Sequence, residues 1–159
     1  MAIEYDFDMA TTSSVAHAAD VLCECGGALG LFDTAVARES ILDQGVTTGL
    51  GLWIKVIEAN PRPWNAVKAD LGFTPTVWVA FRLDKLGDMS AQEDDMARLV
   101  YGLLERIPGD AVLHFQYEEI WLLRRDGDLS LNEQDVLWPP QRLAAVRQPY
   151  RRATYAFEQ

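Results

Sequence analysis

Residues 3–9 alternate without a break: Ile3, Tyr5, Phe7 and Met9 are apolar, and Glu4, Asp6 and Asp8 between them are acidic. Successive side chains of a strand point to opposite faces, so this period of two predicts a strand with one face in a core and one in water. Ser13 or Ser14 then offers a cap for a helix carrying Val15, Ala18 and Leu22, which Gly26-Gly27 is expected to end. "AVARESIL" (35–42) and "TGLGLWIKVIE" (48–58) lie on either side of Gly45 and read as a hairpin. "NPRPWNAVKADLGFTP" (60–75) has three prolines and reads as a loop, with a helical turn around Ala66–Leu71.

The second half is patterned more sharply. In "TVWVAFRLD" (76–84), Val77, Val79, Phe81 and Leu83 share one face, and Trp78, Ala80 and Arg82 the other. Trp78 and Ala80 suggest that the second face is covered as well. Ser90 and Glu93 stand at capping-box spacing. Met96, Leu99, Val100, Leu103, Leu104 and Ile107 then form one helical stripe, stopped by Pro108-Gly109. "AVLHFQY" (111–117) is an apolar-rich strand. In the next, alternation puts Ile120, Leu122 and Arg124 on one face and Trp121, Leu123 and Arg125 on the other. Asp126-Gly127 is a two-residue hairpin turn, and Leu129 and Leu131 return on the partner strand. A short helix fits residues 141–147, before Pro149. The order is approximately β-α-β-β-β-α-β-β-β. It predicts a single α+β domain over residues 1–159, a mostly antiparallel sheet with two main helices packed on one face.

Composition narrows the classes. The 159 residues are 49% hydrophobic and 24% charged, ordinary for a globular chain with a substantial core. No apolar run approaches the ~20 residues that cross a bilayer. The opening MAIEYDFDMA lacks a basic n-region, so no signal peptide is read there. Two cysteines, Cys23 and Cys25, are no disulfide framework, and the expected compartment is the cytoplasm. The net charge of −10 is uneven. Residues 138–159 hold Arg142, Arg147, Arg151 and Arg152 against Glu158 alone, net +3, which leaves −13 on the first 137. Such a body repels nucleic acid and anionic membrane and attracts a basic partner, although charge also serves solubility.

No arrangement dictates a reaction. Cys23 and Cys25 at i and i+2 of a helix point to different faces, and with only His17 and His114 besides, they make no metal set. The ladder of Glu4, Asp6 and Asp8 could hold a hard cation, but reads first as the solvated face of an edge strand. His114 beside Glu118 or Glu119 has no accompanying nucleophile motif and reads as structural. Arg124-Arg125 and Trp121 with the tail arginines could form a nucleic-acid patch, but the −13 remainder argues against it, and the tail arginines read as salt-bridging to body carboxylates. Neither catalytic residues, nor a cofactor, nor a metal is expected.

Taken in order, "IEYDFDMATT", "TVWVAFRLDK", "DDMARLVYGLLERIPGDAVLHFQYEEIWLLRRDGDLSLN" and "WPPQRLAAVRQPY" resemble the Sit-type immunity proteins. These are a bacterial family that protects a cell from a cognate toxin delivered by kin on contact. The resemblance covers about two thirds of the chain, strongest from Thr76 to Tyr150. It implies a protein that is not an enzyme and that binds a toxin. The family supplies no motif of toxin-contacting residues. From the residues alone, exposed acids with aromatics are the candidates for partner binding: Glu4, Asp6, Asp8, Trp64, Glu118, Glu119 and Trp138. Trp64 and Trp138 equally suit packing of loop and tail on the core. Two other readings are a small-molecule or peptide-binding module near Trp53 and Trp78, and a metal-dependent enzyme on the acid ladder.

Overall fold

The computed structural model describes residues 2–158. In chain order its elements are β1 (Ile3–Ala10), α1 (Val15–Ala28), α2 (Arg38–Asp43), β2 (Val46–Thr47), β3 (Trp53–Glu58), a π-helical turn (Val67–Leu71) and β4 (Val77–Leu83). Then come α3 (Met89–Arg106), β5 (Asp110–Phe115), β6 (Glu119–Arg125), β7 (Asp128–Leu131), α4 (Pro140–Leu143) and β8 (Arg151–Arg152). All strands join one eight-stranded sheet, ordered β2-β3-β4-β1-β5-β6-β7-β8. Every neighbouring pair is antiparallel except β7 with β8. The fold is α+β.

The period-two rows decide which side of the sheet is which. Tyr5, Phe7 and Met9 of β1 sit beside Val77, Val79 and Phe81 of β4 and Ala111 and Leu113 of β5, buried under α1 and α3. The opposite face has a smaller apolar cluster. There Val67, Leu71 and Phe73 from the loop and Phe157 from the tail cover Val112, Ile120 and Leu123. So the β5–β6 half of this face is roofed, while the β1–β4–β3 half stays open along the loop's edge.

Several expectations need correction. Residues 35–42 are not a strand: α2 occupies 38–43, held to α1 by a two-bond Arg38–Asp20 pair, with Ile41 and Leu42 packed on the core. A short apolar run does not distinguish strand from helix by itself. Gly26-Gly27 does not end α1; Gly30 does, at φ 70°, with its N–H bonding the Gly27 carbonyl and the Leu31 N–H bonding the Gly26 carbonyl, while Gly26 serves close packing. A Cβ there would lie 2.2 Å from the Phe32 ring. The cap of α3 is Asp88, which accepts from Ala91 N–H at 3.0 Å, and Ser90 lies inside the helix. Gln92 sets this earlier start by bonding both the N–H and the C=O of Asp84. Glu93, freed from capping, accepts from the Tyr5 hydroxyl at 2.8 Å.

Simple alternation also fails on β6. The register shifts between Leu113 and His114, so that Trp121 is an extra residue and turns to the helix side together with Leu122. Ile120 therefore shares the opposite face with Leu123, not with Leu122. A bulge of this kind resets which face each later side chain takes. Asp126 and Gly127 have φ of 52° and 79°, the expected hairpin turn.

The arginines of the second half are used internally. Arg142, Arg147 and Arg151 pair with Asp94, Glu105 and Asp128, as the charge pattern predicts. Arg124 and Arg125 instead donate to backbone carbonyls. Arg124 reaches the carbonyls of Leu104, Ile107 and Gly109 at 2.6–2.7 Å, closing the C-terminal end of α3. Burial lowers the pKa of its guanidinium, a cost that three acceptors and the helix dipole offset.

Candidate functional site

The open half of the second face carries the acid row of β1. Glu4 accepts from the guanidinium of Arg82 at 2.6 and 2.9 Å, and that guanidinium also lies over the Trp53 ring, 4.9 Å from its centre. Asp6 Oδ1 accepts from Trp78 Nε1 at 2.7 Å. Asp8 Oδ2 lies 2.9 Å from His114 Nε2. The three carboxylates are thus turned to three different partners. Among the described residues no three His, Cys, Asp or Glu groups converge on a metal position.

His114 is fully buried, and its Nδ1 accepts the backbone N–H of Tyr117 at 3.2 Å. An accepting Nδ1 places the ring proton on Nε2, which then donates to Asp8. The imidazole bonds the acid without neutralising it. Gln116 and Tyr117 form the turn between β5 and β6 with φ of 50° and 60°, closed by Glu118 N–H to Phe115 C=O at 2.8 Å. This is a type I′ geometry, costly for side chains that are not glycine. It lays the Tyr117 ring on His114, 4.5 Å between centres, and against Phe157. The 111–117 strand of the sequence reading therefore stops at Phe115.

Together these elements enclose a groove of about 400 Å³, walled by Ile57, Pro61, Trp78 and Tyr117, with Asp6, Asp8 and Glu58 opening onto it. Burial pushes the Asp6 carboxyl above its usual range, with the Asp8 and Glu4 charges adding to the rise and the Trp78 hydrogen bond opposing it. The Tyr117 hydroxyl is raised too, by burial first and then by Asp8 and Asp6. A second hollow of about 310 Å³ adjoins the first through Arg62, Asn65 and Tyr117, and Trp64 forms its outer rim. Trp64 is 74% exposed, on a loop stiffened by Pro61 and Pro63, with Arg62 over its ring at 5.8 Å.

Of the residues singled out in the sequence, Glu4, Asp6, Asp8 and Trp64 come together here, and Glu118 is exposed in the turn beside Tyr117. Glu119 lies across the sheet in the Tyr5–Phe115 row and accepts from Gln134 Nε2 at 3.3 Å. Trp138 is a correction. It is 1% exposed, its Nε1 donates to the Trp121 carbonyl at 2.8 Å, and its ring meets Trp121 edge-on. The turn formed when Leu137 and Trp138 N–H bond Gln134 C=O folds it onto the bulge, so it belongs to the core. Tyr117 and Glu58 were missed by sequence reasoning. Tyr117 carries no sequence signal, because Gln-Tyr is not a turn pair and only the tertiary stack holds it.

Elsewhere, Cys23 and Cys25 are free thiols, both with pKa raised chiefly by burial. Among the described residues no helix is long and apolar enough to cross a membrane. The profile of the SitI3-like family matches residues 3–142. The chain belongs to the SitI3-like family. No curated protein and no solved structure matches it. The SitI3-like span runs from β1 into α4, so it contains the acid row, the Trp64 loop, Trp78 and the Tyr117 turn. It leaves out β8 and the tail that brings Phe157.

Proposed function

We propose that this SitI3-like protein is a non-enzymatic immunity protein that binds a cognate toxin in the cytoplasm and blocks it. It would do so through the acidic, aromatic-rimmed groove of Asp6, Asp8, Trp64, Trp78 and Tyr117. The observation that carries the reading is family membership over residues 3–142. What supports the choice of surface is a half-open sheet face where carboxylates adjoin an exposed tryptophan, the mixture that interface anchors favour. The −13 body would speed the approach of a basic toxin. Glu4 and Glu118 flank the surface, whereas Glu119 faces elsewhere. Two free thiols suit a reducing compartment. A second reading, a small-molecule or peptide-binding module, is favoured by the groove's size next to Trp78.

The test mixes the purified chain with the toxin domain that the immunity reading expects a neighbouring gene to encode, measuring toxin activity and affinity at rising salt. Inhibition that weakens with salt is expected. Trp64→Ala is expected to weaken binding by about 2 kcal/mol, about 30-fold, while shifting stability by no more than about 0.5 kcal/mol. Absence of a complex even at low salt would refute the immunity reading. An unchanged affinity in Trp64→Ala would move the interface away from this face.

A further inference from the structure

We propose that the groove between β1, β4 and the Tyr117 turn is a pocket for one arginine side chain of the protein partner; this rests on the toxin-binding reading above and names the chemistry that the site recognises. The argument begins with unanswered charge. Asp8 is 7% exposed, one of its oxygens is taken by His114, and the other accepts from no donor among the described residues. His114 supplies a hydrogen bond and no positive charge, because its Nδ1 accepts from Tyr117. Asp6 has one oxygen on Trp78 and its other without a donor among the described residues. Neither Asp6, Asp8 nor Glu58 has an arginine or lysine at ion-pair distance among them; the nearby Arg82 is committed to Glu4, and Arg62 turns onto Trp64.

A carboxylate as buried as Asp8 is ordinarily paired with a cation, and here none comes from the chain itself, while half-buried Asp6 and exposed Glu58 add negative charge at the mouth of the groove. The carboxylates do not converge on a metal position. A guanidinium suits the place better than a metal or an ammonium. It is planar, sheds water more readily, and offers several N–H groups to separate carboxylate oxygens while lying against aromatic walls, here Trp78 and Tyr117. The adjoining hollow under the exposed Trp64 gives the flanking residues of a polypeptide a surface to cover, which a free metabolite would leave bare.

The test is an NMR titration of the whole chain with N-acetyl-arginine amide, reading the Trp78 indole N–H and the Tyr117 amide. Both bonds sit at the floor of the groove. Saturable shifts with a dissociation constant near ~1 mM are expected for a single fragment. The neutral isostere N-acetyl-citrulline amide should give none, and N-acetyl-lysine amide should bind more weakly. Asp6→Asn and Asp8→Asn each keep an oxygen for Trp78 or His114 and so keep the fold. Each should weaken the arginine probe by about tenfold, the worth of one charge-assisted bond. If one variant fails to fold, the other decides. The proposal is overturned if citrulline binds as well as arginine, if neither variant matters, or if free agmatine binds more than about tenfold tighter than the amide, which would make this a small-molecule site. A chain that neutralises the toxin but ignores the arginine probe overturns this inference and not the immunity reading. One that takes the probe but no toxin overturns the immunity reading, with the preference for a guanidinium standing.

Discussion

Replacing Arg124 by methionine removes the one side chain that closes the C-terminal end of α3. The stem is replaced by apolar atoms of similar length, so no large cavity opens, and what is lost is three charge-assisted bonds to the carbonyls of Leu104, Ile107 and Gly109. At about 1.5 kcal/mol each, the low end for bonds to a charged group, they come to roughly 4–5 kcal/mol. Loss of the cation at the helix end adds up to about 1 kcal/mol. Two effects reduce the sum. The variant no longer buries a guanidinium, whose lowered pKa reports that cost, and the exposed Gly109 can return its carbonyl to water. A net loss of about 3 kcal/mol follows, which for a domain of this size lowers Tm by about 6–12 °C. Arg124→Lys keeps the charge but reaches fewer carbonyls, and should lose about half as much. Urea and thermal unfolding followed by circular dichroism measure both. A methionine variant within about 0.5 kcal/mol of wild type would refute the reasoning, since it would mean that the burial cost cancels all three bonds.

Two smaller predictions concern the groove. Gln116 is exposed and held at φ 50°, so Gln116→Asn should raise stability by about 0.5 kcal/mol without disturbing Tyr117; a loss of stability in chemical denaturation would show that the turn is not strained as argued. Asp6 has a raised pKa in the folded chain, so the folded state holds its proton more tightly than the unfolded state does. Its contribution to stability therefore falls as pH rises from the unfolded value of 3.8 through the folded one. Asp6→Asn, which keeps an acceptor for Trp78, should be more stable than wild type at neutral pH, with the advantage fading below about pH 4 in paired denaturation curves. A variant that is less stable at neutral pH would overturn the burial argument.

How far the sequence could be read depended on whether a signal was local. The β1 and β4 rows, the α3 stripe and the Asp126-Gly127 turn are each set within a few residues by periodicity or backbone sterics, and they stand in the structure, except that β1 is not the solvated edge strand its acid row suggested: it lies between β4 and β5, with Asp8 buried. Residues 35–42 could be read either way, and only the Arg38–Asp20 pair and packing on α1 make them a helix. The start of α3 depended on Gln92 reaching back to Asp84, a contact invisible in the capping pattern. Of the site, the acids and Trp64 were visible as residue types. Which of them would meet was not.

By itself, then, the sequence determined the α+β class, the faces that β1 and β4 present, and a family resemblance, because these rest on spacing along the chain. The tertiary structure decided the rest. One inserted residue at Trp121 reverses the facing of β6, burial withdraws Trp138 from the surface, and the His114 tautomer leaves Asp8 without a cation. Each of these depends on pairing between segments distant in sequence, where a single register step or hydrogen bond decides what no local pattern records.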